Sequence, residues 1–331
     1  EMTTIGVIGA GAWGSVVANI LADNGHDVCL WCYKESIAEK IANDQAHHRL
    51  PGIQLSKKIT TTTQLSDCYD VELLVLGLSS SQLIAYENDI DWGQINAPIL
   101  FLAKGIIEPQ WFISDWLKQK FSGDIAVLSG PNLALEIAKR KPSASVVGAT
   151  NPLVASDIQA LLSNHYFRVY TSNDMRGVQC GGIFKNVFAI AAGCIDGLEL
   201  GDNAKSAMIT RGMVELKRLF SFFGAEDSTV WGLSGLGDLI ATCSSKQSRN
   251  WQLGYTVVTN PDRDTWESSN RGQTEGLRTI RLMSDMLVNE SLNLPIIMSV
   301  GRLFLTEKIS PQEIIQDLME RGLKSEFDQL I

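Results

Sequence analysis

Gly9-Ala10-Gly11-Ala12-Trp13-Gly14 decides how the first part of the chain folds. It follows a strand-like apolar stretch, Thr4 to Ile8, and opens a helical stretch running to about Asn24, where Gly25 supplies a stop. Three glycines at this spacing have mechanical jobs: a tight turn, close backbone approach to a pyrophosphate, and close helix packing, with the helix N-terminus facing the anion. A glycine triplet alone is common. Here a strand precedes it, a helix follows, and a second strand, Asp27 to Trp31, comes at the expected distance, which is the context the motif requires. Gly9, Gly11 and Gly14 are therefore candidate dinucleotide contacts.

Outward from this turn, short apolar runs alternate with helical stretches. Besides Thr4–Ile8 and Asp27–Trp31, the runs Glu72–Gly77, Ile99–Ala103, Ile125–Leu128, Ser145–Val147 and Phe167–Tyr170 read as strands. Most are continuously apolar, as strands buried on both faces are. From Val178 the character changes to apolar residues at three and four spacing, punctuated by Gly or Pro near 224, 254 and 295. The expected fold class is an α/β Rossmann-type doubly wound, mainly parallel sheet followed by an all-helical C-terminal domain. The expected domains are residues 1–175, binding dinucleotide, and residues 176–331, helical and carrying substrate binding and catalysis.

Bulk properties narrow the classes. A chain of 331 residues exceeds one small core, and 45% hydrophobic with 20% charged residues is ordinary globular composition. A net charge of −9 argues against nucleic acid or an anionic membrane as partner. No uninterrupted apolar run approaches the roughly 20 residues of a membrane helix, so stable membrane insertion is not expected. The N-terminus lacks a basic start and short apolar core, so the chain is expected to stay where it is made, in the cytoplasm. Six cysteines, at 29, 32, 68, 180, 194 and 243, sit almost entirely in apolar segments, which fits buried thiols in a reducing compartment. Cys29 and Cys32 form a C-x-x-C, but residues three apart on a strand face opposite sides, and no second pair completes a metal site; no metal is expected. His47 and His48, polar-flanked and without a carboxylate at ligand spacing, read as a solvated loop.

In an open parallel sheet, ligands bind beyond the carboxyl ends of the strands. Ser79-Ser80-Ser81 follows Glu72–Gly77, Lys104-Gly105 follows Ile99–Ala103, and Ser129-Gly130-Pro131-Asn132 follows Ile125–Leu128. Lys104 stands where a cation reaches a cofactor or a substrate phosphate, although a surface lysine at a strand end is the plain alternative. Trp31-Cys32-Tyr33-Lys34 closes the second strand without the acid that usually holds a ribose 2′-hydroxyl. That absence, with Lys34 nearby, leans toward NADP or dual use; a solvated turn lysine is the competing reading.

The second half carries a lone charge. Lys185 is the only ionisable side chain in the apolar run Gly181 to Gly193, where an ammonium is expected to lower its pKa or find a partner, unless it snorkels to the surface. A lysine so placed exchanges protons near neutrality. Asp238, in Gly235-Leu236-Gly237-Asp238-Leu239-Ile240-Ala241-Thr242, is the obvious partner, with Thr242 one turn on; a helix N-cap is its ordinary alternative. Ser248-Arg249-Asn250 offers a guanidinium fork with flanking polar groups, suited to phosphate.

Taken together and in order, the glycine turn, Ala103-Lys104-Gly105, Ser129 to Asn132, Gly182 to Gly193 around Lys185-Asn186, Gly201-Asp202-Asn203-Ala204-Lys205, Gly237-Asp238-Leu239 and Gln247 to Asn250 resemble bacterial NAD(P)-dependent glycerol-3-phosphate dehydrogenase. The resemblance spans residues 4 to about 305. It implies an oxidoreductase that interconverts sn-glycerol 3-phosphate and dihydroxyacetone phosphate, with NADP or NAD as cofactor, supplies phospholipid synthesis, and forms a homodimer. It further implies Lys185 as general acid/base with Asp238, Asn186 and Lys104 in the catalytic group. Substrate contacts fall on Lys104, Gly130, Asn132, Lys185, Asp238, Ser248, Arg249 and Asn250. Cofactor contacts fall on Ala12, Trp13, Tyr33, Lys104, Ala134, Arg249 and Glu275, beside the glycines. Two positions depart from the family pattern: Ala103 stands for a common Thr, and Asn132 for a Ser or Thr. Related two-domain dehydrogenases of 3-hydroxy acids or phosphogluconate, and a catalytically silent dinucleotide sensor, are the alternatives; the latter needs neither Lys185, Asp238 nor Arg249.

Overall fold

The structure, a computed structural model, describes residues 2–108, 111–260, 274–289, 292–305, 309–323 and 325–326. Two compact units make up the chain, Glu1–Gln179 and Cys180–Ile331.

In the first unit the elements run β1 (Thr4–Ile8), α1 (Ala12–Asp23), β2 (Asp27–Trp31), α2 (Glu35–Asp44), β3 (Ile59–Thr62), β4 (Leu73–Leu76), α3 (Ser80–Ala85), β5 (Ile99–Phe101), α4 (Ile113–Lys118), β6 (Ile125–Ser129), α5 (Ala134–Ala138), β7 (Ser143–Ala149), α6 (Pro152–Leu162) and β8 (Phe167–Ser172). They build one eight-stranded sheet in the order β3-β2-β1-β4-β5-β6-β7-β8. Every pair is parallel except β6 with β7, so β7 and β8 run opposite to the rest. The central strands are buried end to end, which is why β4 reads Leu-Leu-Val-Leu rather than alternating. On one face Val7, Leu30, Val75, Leu100 and Leu128 pack with Val17 and Leu21 of α1 and Ile158 and Leu162 of α6. Strand order turns back on itself between β1 and β4, the switch point beside which a doubly wound sheet opens its ligand crevice.

Two differences from the sequence expectation stand out. β3 was not anticipated: Ile-Thr-Thr-Thr offers one apolar residue, because this edge strand pairs only with β2 and leaves its threonines partly in water. β7 extends further than its apolar centre at both ends, its ladder with β8 reaching Ser143.

α7 (Met175–Gly197) leads into the second unit, where α8 (Gly201–Phe222), α9 (Asp238–Ser244), α10 (Arg249–Thr259), α11 (Glu275–Asn289), α12 (Pro295–Leu305) and α13 (Pro311–Met319) follow. A π turn, Leu233–Gly237, runs directly into α9. The regular elements described in this unit are all helical. By length and composition alone α7 passes as a helix that could cross a membrane, although Arg176 and Lys185 interrupt its apolar run. Its apolar window is 89% buried inside the protein, the mark of a core helix apolar all round.

Candidate active site

Backbone makes the glycine end of the site. Gly9 sits at φ 119°, a conformation a side chain rarely adopts, and a Cβ there would lie 2.8 Å from the Gly77 carbonyl carbon at the end of β4. A Cβ on Gly14 would overlap the Gly9 carbonyl, so α1 starts hard against the turn. A Cβ on Gly11, by contrast, would enter open space, with nothing within 4 Å beyond its own neighbours and helix, and as N-cap the glycine offers α1 no side-chain bond. α1 therefore starts from a residue without a side chain, its first N–H groups having no partner within the helix, and Trp13 Nε1 is a buried donor without a partner among the described residues. These are residues that fit a dinucleotide pyrophosphate. At the end of β2, Tyr33 is exposed and Lys34 Nζ lies 5.2 Å from its ring centre.

His47 is not solvated. It is 3% exposed, and its Nε2 lies 2.8 Å from the Ala10 carbonyl oxygen while Nδ1 accepts from Arg49 N. Burial holds its pKa below the ordinary value, so the ring is a neutral strut under the glycine turn. His48, exposed, stacks on it at 4.7 Å. Nothing in the local sequence signals this, because the carbonyl that receives His47 is 37 positions away.

Along the same sheet edge, Lys104 Nζ donates to Gly130 O at 3.0 Å, joining two residues that sequence reasoning named separately. Gly130 takes φ 148°, and a Cβ on it would come 3.1 Å from Ser145 Cα. Ser145, missed from the sequence, is fully buried and lies 2.9 Å from Asn132 Oδ1 and 2.8 Å from Ser129 O. Asn132 Nδ2 in turn donates to Ala144 O, at a long 3.4 Å, so the amide where the resemblance expects Ser or Thr has its side chain aligned along β7. Ala134 begins α5 just beyond.

Within the second unit, Lys185 of α7 is 8% exposed and Asp238 2%. Lys185 Nζ donates to Asp238 Oδ1 at 2.6 Å and to Thr242 Oγ1 at 2.9 Å. Thr242 Oγ1 also lies 2.7 Å from the Asp238 carbonyl oxygen, to which its hydroxyl hydrogen points, leaving a lone pair for the ammonium. The lysine therefore does not snorkel, and Asp238 does not cap: it is the first residue of α9, with Gly237 as N-cap. Glycine contacts bring the partners together. A Cβ on Gly181 would overlap Ser234 O in the π turn, and one on Gly254 of α10 would overlap Ile190 O of α7.

That crossing seats the start of α10 beside the lysine helix. Ser248 caps α10, accepting from Trp251 N, and Arg249 is exposed in its first turn. Asn250 is buried, its Oδ1 accepting from Gly276 N at 3.0 Å. A Cβ on Gly276 would lie 2.7 Å from both Asn186 O and Asn250 Oδ1, so Glu275, at the start of α11, is held next to the pair. Asn186 is itself 5% exposed. Among the described residues no cluster of His, Cys, Asp and Glu could hold a metal. A cavity of about 480 Å³ in this unit is lined by Ile195, Met208, Val214 and Ile296 among other apolar residues and by none of the candidate site residues.

A doubly wound sheet with a glycine turn at its switch point, and a helical unit with a buried lysine held by a carboxylate, define a nicotinamide-dinucleotide dehydrogenase as the class. Family models for the NAD-dependent glycerol-3-phosphate dehydrogenase N-terminus and C-terminus match residues 4–155 and 174–316. The chain belongs to that family and is an NAD(P)-dependent oxidoreductase of it. Among curated relatives, glycerol-3-phosphate dehydrogenase, NAD(P)+, of Geobacillus kaustophilus is 38% identical over 99% of this chain and 98% of its own length. Its counterpart in Oceanobacillus iheyensis is 34% identical over 99% and 97%. The crystal structure of glycerol-3-phosphate dehydrogenase from Coxiella burnetii, 31% identical, superposes with a TM-score of 0.87 over 97% of this chain and 99% of that one.

Proposed function

We propose that this chain interconverts sn-glycerol 3-phosphate and dihydroxyacetone phosphate, with Lys185 as general acid/base on the C2 oxygen, and that it supplies glycerol 3-phosphate for phospholipid synthesis. The observation that carries the reading is the buried ammonium of Lys185 aimed by Asp238 and Thr242. An ammonium has three N–H donors, and these two acceptors hold two of them, leaving one for a substrate oxygen. When bound, the nicotinamide supplies the hydride exchanged at C2. In reduction Lys185 delivers its proton to the oxygen as the C2 alcohol forms; in oxidation it takes that proton back. Asp238 keeps a positive charge tolerable in an apolar helix and fixes Nζ within a narrow range of positions.

Residues 1–175 are assigned to the dinucleotide, through the glycine turn, Ala12, Trp13, Tyr33, Lys104 and Ala134, and residues 176–331 to substrate and proton transfer. Lys104, Gly130 and Asn132 on the sheet edge, and Ser248, Arg249 and Asn250 at the start of α10, are each assigned to substrate, the cations being suited to its phosphate. Arg249 and Glu275 are further assigned to cofactor. The missing acid at the end of β2 supports NADPH at least as well as NADH. Resemblance supports a cytoplasmic homodimer without stable membrane insertion, tested by sedimentation of the purified chain.

A steady-state assay with dihydroxyacetone phosphate, run in parallel with NADH and NADPH, tests the reading. Oxidation of either cofactor is expected; none with this substrate but turnover with small keto acids overturns it. Arg249→Ala is expected to raise KM for dihydroxyacetone phosphate about tenfold or more, the worth of a charge-assisted hydrogen bond. An unchanged KM removes Arg249 from the phosphate.

A further inference from the structure

Cys29 and Cys68 take no part in the chemistry above, and the fold places their sulfurs 3.8 Å apart. Cys29 lies at the centre of β2, in register with Gly6 of β1 and Thr60 of β3. Cys68 ends a 3-10 turn, Leu65–Cys68, laid across β1 and β2. Gly6 lets that turn lie flat: a Cβ on it would stand 3.1 Å from Cys68 Cβ and overlap the Cys68 carbonyl oxygen. Cys68 is fully buried, with its thiol 3.6 Å from the Cys29 carbonyl as well, whereas Cys29 is only half-buried. Cys32, three residues on, is buried and hydrogen-bonded to Leu30 O, while Cys180, Cys194 and Cys243 belong to the second unit.

We propose that Cys29 and Cys68 are a peroxide-responsive thiol pair, Cys29 the attacking and Cys68 the resolving sulfur. First Cys29 loses its proton and the thiolate attacks one oxygen of hydrogen peroxide; an S–O bond forms, the O–O bond breaks, and the hydroxide that leaves with the electron pair takes up the proton Cys29 lost, as water. Cys68 sulfur then attacks the sulfenic sulfur of Cys29; the S–S bond forms, the S–O bond breaks, and the departing hydroxide takes up the Cys68 proton as water. Two thiols are oxidised by two electrons and one peroxide is reduced to two waters. The order of attack follows from the environment. Hydrogen bonds from Cys68 and Thr60 hold the Cys29 thiol below its ordinary value despite burial. Giving that bond, together with burial, keeps Cys68 protonated far above its own. Bond formation brings the two sulfurs from 3.8 Å to about 2.05 Å. The product staples β2 to the turn that precedes β4.

Intact protein is treated with hydrogen peroxide, alkylated under denaturing conditions without reductant, digested with trypsin and mapped by mass spectrometry. Expected is a linked species, 2 Da lighter than the summed peptides, joining the peptide of Cys29 and Cys32 to that of Cys68, with fragment ions placing the bond on Cys29. It disappears with dithiothreitol, and the untreated protein melts several degrees lower than the oxidised one. In Cys68→Ser, Cys29 is expected to be trapped by dimedone as the sulfenic acid; in Cys29→Ser, Cys68 is expected to stay a free thiol. The wild-type map needs neither variant to fold. Both cysteines alkylated after peroxide, a link through Cys32, or unlinked sulfinic acid at Cys29 in the wild type each overturn the proposal.

Discussion

The glycine turn of the first unit and the lysine centre of the second solve opposite problems. Around Gly9 to Gly14 the useful groups are main-chain N–H donors, and at Gly9 and Gly14 a side chain is excluded because a Cβ would collide with neighbouring backbone. Around Lys185 the useful group is a side chain, and the main chain is brought in close so that Asp238 and Thr242 can reach it. A backbone-built site depends on residues next to one another in sequence. A side-chain-built site depends on packing between distant helices, here over a separation of 53 positions.

Four experiments can break or sharpen that contrast. Lys185→Ala is expected to reduce turnover by about a thousandfold, the usual reach of a positioned acid/base, while the dissociation constant for the reduced dinucleotide stays within a few-fold of wild type. Stopped-flow turnover with fluorescence titration of cofactor checks both halves; near-normal turnover removes the lysine from its role. Asp238→Asn leaves a buried ammonium without its counter-charge and should cost about 3 kcal/mol of stability in urea titration, with turnover falling alongside. If stability is unchanged, the pair is not holding the helices as described.

Gly14→Ala reverses the expectation. Its Cβ would overlap the Gly9 carbonyl, so the turn must shift, at about 2 kcal/mol of strain, and dinucleotide affinity should fall while the Lys185 pair is untouched. Equal losses at both ends would erase the distinction. The smallest effect concerns Glu215 of α8, buried at 1% exposure and accepting from Ile296 N and Ile297 N at the start of α12. Burial outweighs those bonds and raises its pKa from 4.5 to about 7. A carboxyl raised on folding stabilises the native state while both states are protonated and loses that contribution as pH climbs from 4.5 to about 7. Wild type should therefore lose on the order of 1 kcal/mol between pH 5 and 7 relative to Glu215→Gln, read from melting curves across pH. Parallel curves would contradict the burial argument.

The same contrast governs what a reader of the sequence could see. The glycine turn was legible because strand, turn and helix are consecutive, and the order of apolar runs carried the doubly wound sheet with it. Lys104 was legible by rule, as the cation after a strand in a parallel sheet, and its bond to Gly130 joins two strand ends at one edge. Ser145 was not legible by that rule. It stands at the start of β7, and β7 runs backwards, so its beginning rather than its end lies beside Ser129. β3 hid behind three threonines, and His47 looked solvated because the carbonyl that buries it belongs to the glycine turn. In the second half Lys185 and Asp238 could each be noticed as a lone charge beside apolar residues. Their meeting depends on Gly181 against Ser234, and the neighbouring crossing of α7 and α10 on Gly254 against Ile190, glycines with no local reason to be small.

Those main-chain contacts along α7 have one more consequence. Because the helix is spaced from its neighbours by peptide groups touching peptide groups, the height of the ammonium is gauged as if by a ruler of fixed length. Exchanging Phe188 or Val187 for another apolar residue would alter stability yet leave the aim of Nζ where it is, so activity should outlast considerable wear in the surrounding core and then fail abruptly, when the helices part.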